Sequence, residues 1–257
     1  MRESGIIFHA KHAYMPNRLG YCGPDEKGRI RQELEEGRVD EELVRSLEKF
    51  EAAYPFLKLI ARSTGNHVFD YAVPEAYWIG NSLLERVPVP EFYKFSHREL
   101  KGRNPGEVRE VFRELDGSAL PHHSFYVMST YATSSAAGGP NLTNESGRKL
   151  AELIDNCRIS WGRVKKVEGK ELQVETRPLR LVDGRLRLAR PTLKRVQYNP
   201  QVKPFGLVKT GDVVSLHWSY ACDVLNDRQS RNIAKYTAAD LSLVNRFLAA
   251  KAGRNKK

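Results

Sequence analysis

The chain of 257 residues carries 42 Lys+Arg against 31 Asp+Glu, a formal net charge of +11, with 40% apolar and 28% charged residues. That composition excludes an intrinsically disordered chain, and the lack of any run of 18 apolar residues excludes a membrane-spanning helix. Three cysteines argue against a disulfide framework, and the first sixteen residues hold no apolar run suited to a signal sequence, so a reducing, cytoplasmic setting is expected.

Taken in chain order, residues 1–25 read as irregular and dense in special residues: His9, His12, Tyr14, Pro16, Gly20, Cys22 and Pro24. The stretch from Lys27 to Ser63 reads as two helices. Asp40 caps the second, and Leu43, Val44, Leu47, Phe50, Ala53 and Tyr54 recur along one face, with Pro55 as a kink or split. Residues 74–87 predict a further helix opened by Pro74, and residues 105–116 a short one. Ser118 to Tyr131 reads as helix or strand. Residues 134–144 read as a loop, and Asn144 caps a helix that runs to Asn156.

The period changes at Cys157. Ile159, Trp161, Val164 and Val167 lead into a turn at Glu168-Gly169, after which Leu172 and Val174 alternate with polar residues. Leu179 and Leu181, the turn signal Asp183-Gly184, then Leu186 and Leu188 place leucines on one face and arginines on the other. Val208 to Ala221 adds Val213, Leu216 and Trp218. Short strands spaced by turns predict a small barrel. Residues 226–250 predict a helix capped by Asn226 or Asp227, with Ile233, Tyr236, Leu241, Val244 and Leu248 as its apolar stripe. The expected class is α+β: a mostly helical domain over 1–156, then a small β-barrel with a C-terminal helix over 157–257.

Charge follows the same division. Residues 1–156 hold 20 Lys+Arg and 23 Asp+Glu, a net of −3, whereas residues 157–257 hold 22 and 8, a net of +14. Such asymmetry predicts two units with different partners.

No P-loop, dinucleotide fingerprint, His-Glu-x-x-His, Gly-x-Ser-x-Gly or Cys-x-x-Cys appears, which favours a binding factor over an enzyme. Three constellations carry possible chemistry. Cys157 and His217 offer a thiolate and an imidazole, suitable for iron, zinc or nickel, or for a nucleophile–base pair. His9, His12 and Cys22, with His122 and His123, form a second metal-site candidate in the helical half. Arg163, Lys165, Lys166, Arg185, Arg187 and Arg190 form a basic face. With Trp161, Tyr198 or Trp218 nearby, that face suits an acidic protein or a single-stranded nucleic acid.

The segment CRISWGRVKKVEGKELQVE from Cys157 resembles the opening of the nickel–iron hydrogenase maturation chaperones of the HypC/HupF type. The segment VKTGDVVSLHWSYACDVLNDRQSRNIAKY is similar to their close, through Gly211, Asp212, Val214, His217, Ala221 and the helix from Asn226. The resemblance covers about 100 residues. It implies an OB-like barrel, transport of an Fe(CN)2CO unit at Cys157 and His217, and docking on a hydrogenase large-subunit precursor or maturation scaffold. The departures are the internal position of Cys157, Trp161 in place of a proline, and an added basic stretch over 178–205. The whole chain also resembles an uncharacterised bacterial and archaeal family of the same two-part layout. The expectation is a hydrogenase accessory or maturation protein. The alternatives are a metal-dependent enzyme with its site in the helical half and an OB-like nucleic-acid-binding protein.

Overall fold

The computed structural model describes residues 2–24, 28–99, 118–134, 145–203 and 205–254. Among them are nine α-helices and seven strands, in an α+β arrangement.

Helix α1 (Arg2–Arg18) corrects the expectation of an irregular N-terminus. Every residue from Phe8 to Asn17 is buried, so over that span the helix has no solvent face and therefore no apolar period to read. Pro16 lies in its last turn. Three helices, not two, follow: α2 (Arg29–Glu36), α3 (Glu41–Glu48) and α4 (Tyr54–Thr64). Asp40 caps α3 as expected, its carboxylate accepting from the Leu43 N–H at 2.7 Å. Pro55 opens α4 from its first turn, where no backbone donor is needed. Helix α5 (Ala72–Trp78) is shorter than predicted. It is followed by a single 3₁₀ turn at Leu84–Arg86 and by α6 (Val89–Glu99). The helix expected over 105–116 and the cap at Asn144 lie outside the described residues. The ambiguous stretch after Ser118 is helix α7 (His123–Ser134), entered through Pro121, and α8 (Glu145–Cys157) completes the half.

Five strands close a barrel in the order β1-β2-β5-β7-β6. They are β1 (Ser160–Glu168), β2 (Glu171–Thr176), β5 (Thr192–Gln197), β6 (Val213–His217) and β7 (Tyr220–Leu225). Neighbours are antiparallel except β5 and β7, which meet in parallel at Gln197 and Tyr220. The leucine–arginine repeat forms β3 (Leu179–Val182) and β4 (Arg185–Leu188), which pair with each other and stand outside the barrel. Asp183 and Gly184 take φ of 51° and 72°, the left-handed pair of a two-residue hairpin turn. The leucines face α8 and helix α9 (Asp227–Arg254). The Asn245 side chain completes the hairpin edge: its Oδ1 accepts from the Leu186 N–H at 2.9 Å and its Nδ2 donates to the Leu186 carbonyl at 2.8 Å.

Helix α9 starts with a capping box. Asn226 Oδ1 accepts from the Gln229 N–H at 2.9 Å, and Gln229 Oε1 accepts from the Asn226 N–H at 3.1 Å. The helix then packs along α7, burying Ile233, Tyr236, Val244, Phe247 and Leu248. One large buried cluster thus joins the helices to the hairpin and to Tyr220, Cys222 and Leu225 of β7. A second, smaller cluster fills the barrel around Val164, Val174, Val196, Tyr198, Phe205 and Leu216.

Candidate metal centre

Cys157 is the last residue of α8, His123 the first of α7 and His217 the last of β6. Their ligand-capable atoms all lie within 4.8 Å of one another. Bond lengths of about 2.0–2.1 Å to nitrogen and 2.3 Å to sulfur put the donors of a tetrahedral site roughly 3.4–3.8 Å apart. A contraction of up to about 1.4 Å would therefore bring the three onto one ion.

Hydrogen bonds fix what each ring offers. His217 Nδ1 faces the His12 carbonyl oxygen at 2.7 Å, so it donates and the Nε2 lone pair is left free. That Nε2 is buried and makes no hydrogen bond, although the Cys157 carbonyl lies near enough to act on the ring. Burial of such an atom costs free energy unless something binds it, and a backbone carbonyl orienting the opposite ring nitrogen is the usual support of a ligating histidine. His123 Nε2 donates to the Cys157 carbonyl at 2.9 Å, and its Nδ1 accepts from the Tyr77 hydroxyl at 3.0 Å. Ligation through Nδ1 would displace that hydroxyl, which already lies 3.5 Å from the Ala52 carbonyl.

Electrostatics favour neutral donors. Burial lowers His217 to about 4, with the carbonyls of His12 and Cys157 opposing, and takes His123 well below the usual imidazole value. Burial pushes the Cys157 thiol up to about 12, against a smaller pull from the Trp218 indole. A cation close by reverses the thiol's preference, because it stabilises the thiolate directly.

The triad opens on a cavity of about 200 Å³ whose walls are mainly apolar and aromatic. Trp78 holds the rings in place: it stacks on His12 at 5.7 Å and 17°, and its centroid is 4.6 Å from that of His123 and 5.7 Å from that of His217. On the far side Tyr21 stacks on Trp218 at 4.2 Å and 16°. Trp218 and Ser219 form the β6–β7 turn with φ of 52° and 58°, a conformation costly for side-chain-bearing residues and concentrated at functional sites.

Of the helical-half candidates, Cys22 and His123 line this cavity and the other three do not. His9 Nδ1 accepts from the Trp78 indole N–H at 2.9 Å. His12 uses both nitrogens, on the Phe8 carbonyl at 2.9 Å and on Ser215 Oγ at 3.1 Å. His122 Nδ1 meets Asp240 of α9 at 2.6 Å, away from the triad. Sequence reasoning missed Tyr77 and Trp78, which orient the rings; nothing in their spacing separates them from core aromatics.

The six basic residues divide between two sheets. Arg163, Lys165 and Lys166 lie on β1, where Arg163 donates to the Gly211 carbonyl at 2.6 Å, Lys165 pairs with Glu175 at 3.3 Å and Lys166 with Glu168 at 2.6 Å. Arg185 and Arg187 project from the outer face of β4, with Arg190 just beyond it, all exposed. Arg187 stands directly opposite Arg180 across the hairpin, a like-charge pair that an anionic surface would relieve.

Among the described residues no helix is long and apolar enough to cross a membrane. Comparisons with curated proteins and with solved structures return no match. A family model described as "Family of unknown function (DUF6390)" matches residues 1–251, and the chain belongs to that family.

Proposed function

We propose that the protein is a metal-binding accessory factor whose buried His123–Cys157–His217 cluster holds a thiophilic transition-metal ion. The observation that carries this reading is the unpartnered Nε2 of His217, buried in a cavity wall beside a thiol and a second imidazole. Two neutral imidazoles and one thiolate suit iron, zinc or nickel. The finer reading rests on the resemblance of the Cys157 and His217 segments to hydrogenase maturation chaperones. It makes the cargo an iron-cyanide-carbonyl unit and the partner a hydrogenase large-subunit precursor or maturation scaffold, with the arginines of the hairpin meeting an acidic surface of that partner.

The first test is metal content of the purified protein against Cys157→Ala and His217→Ala. Stoichiometric metal that both variants lose supports the site; metal unchanged in both refutes it. The finer reading is tested by anaerobic co-purification with a precursor and infrared detection of CN and CO stretches. A second reading, a metal-dependent enzyme, draws on the fact that His123 and Cys22 come from the helical half and face the same cavity. A hydrolytic metal site keeps one coordination position for water, and the cavity would supply the room.

A further inference from the structure

Cys22 is the fourth soft donor in the walls of the cavity, and it lies outside the triad. It sits in a short loop after α1, between Gly20 at φ 75° and Gly23 at φ 84°. The two glycines let the chain turn on both sides of Tyr21 and Cys22; Gly20 lies in open space, whereas Gly23 lies close against the Phe50 ring. The loop is held by Asn17, whose Nδ2 donates to the Cys22 carbonyl at 3.2 Å and the Pro24 carbonyl at 2.7 Å. Tyr21 is 62% exposed, yet its ring is stacked on Trp218, so the same loop that carries the thiol also covers the cavity.

Resting on the reading that the triad binds a metal, we propose that Cys22 supplies the fourth protein ligand. A shift of the loop over residues 20–23 brings the Cys22 sulfur onto the ion and gives a Cys2His2 site under the Tyr21–Trp218 stack. The unpartnered His217 Nε2 points to a ligand independently of Cys22. Four protein donors close a tetrahedral shell, which favours a bare ion such as zinc and counts against the iron-cyanide-carbonyl cargo, whose metal must keep positions for other groups. Binding converts two thiols to thiolates, so two protons leave to solvent as two metal–sulfur bonds form; no electron is transferred.

The test uses Co2+ as an optical probe on the full chain, under anaerobic conditions. The expected spectrum has tetrahedral d–d bands and thiolate-to-cobalt charge transfer of two-sulfur intensity. Cys22→Ala should lose about half of that charge-transfer intensity and bind Co2+ roughly tenfold or more weakly. A wild-type spectrum of one-sulfur intensity, unchanged in Cys22→Ala, overturns the fourth ligand while leaving the triad intact. No cobalt spectrum in the wild type overturns the proposed metal function itself. Should Cys22→Ala fail to fold, alkylation mapping on the unmodified protein decides: Co2+ should protect both Cys22 and Cys157. A Cys22 alkylation rate indifferent to Co2+ refutes the proposal.

Discussion

Lowering the pH from 7.5 to 5.0 should remove a large share of the protein's stability, because the fold buries its histidines as neutral rings. Burial lowers His9 and His12 to about 3, with the Phe8 carbonyl partly opposing at His12, and His217 to about 4. In the unfolded chain each ring titrates near 6.5. Between 6.5 and the folded values the unfolded state therefore binds more protons, and stability present above pH 6.5 is lost as pH falls. At pH 5.0 the folded rings are still neutral, so the loss is set by the unfolded value: about 1.5 pH units, or about 2 kcal/mol per ring. Three rings give about 6 kcal/mol, comparable with the whole stability of a typical domain. His123, also lowered by burial, adds to the loss. Burial raises Asp223 and Asp240, a shift that acts in the opposite direction as pH falls. The assay is urea unfolding followed by circular dichroism at several pH values. His9→Gln, which keeps an acceptor for the Trp78 indole, should show a pH-dependent loss smaller by about 2 kcal/mol. Stability constant within about 1 kcal/mol across the range would refute the argument.

Other outcomes follow from single contacts. Asp155→Ala should destabilise by about 3–5 kcal/mol in thermal or urea unfolding. It leaves Arg158, 1% exposed, without the carboxylate that holds its Nε at 3.0 Å and Nη2 at 2.7 Å. It also strips the Leu179 N–H of its acceptor at 2.8 Å. Asn245→Ala should cost about 1–3 kcal/mol and speed hydrogen exchange at Leu186 before the barrel amides, since both hairpin bonds at that residue are lost. Ser219→Gly relieves a φ of 58° and should raise stability by up to about 1 kcal/mol, a gain of roughly 2–4 °C in Tm. A fall in Tm would show that the turn is not strained.

Much of the architecture is legible from local signals in the sequence. The Asp183-Gly184 turn between alternating leucines specified a hairpin, and its arginines stand on the solvent side as the period of two requires. The capping box at Asn226 and the cap at Asp40 are likewise written in a few adjacent residues. Helix α1 was illegible because a helix buried all round leaves no polar face to set its phase. The hairpin could not be told from barrel strands because pattern reports which face is apolar, not what covers it. Of the site, Cys157 and His217 were visible as donors from sequence, but their meeting with His123 was not. That contact joins residues from α7, α8 and β6, and no local rule spans such separations.

The way α9 packs also has a consequence for synthesis. His122 meets Asp240, and α7 is covered by residues from Ile233 to Leu248, so the helical core is finished by a segment made after the barrel strands. At about 5–20 residues per second, the interval between His123 and His217 alone is roughly 5–20 s. During that interval the part of α7 that α9 buries has no cover and the three donors cannot meet. The nascent chain is then open to chaperones and proteases, and no ion can be held by all three donors before β6 has been made. A ribosome-bound chain stalled before α9 should be cleaved rapidly in α7, and one released with α9 in place should not.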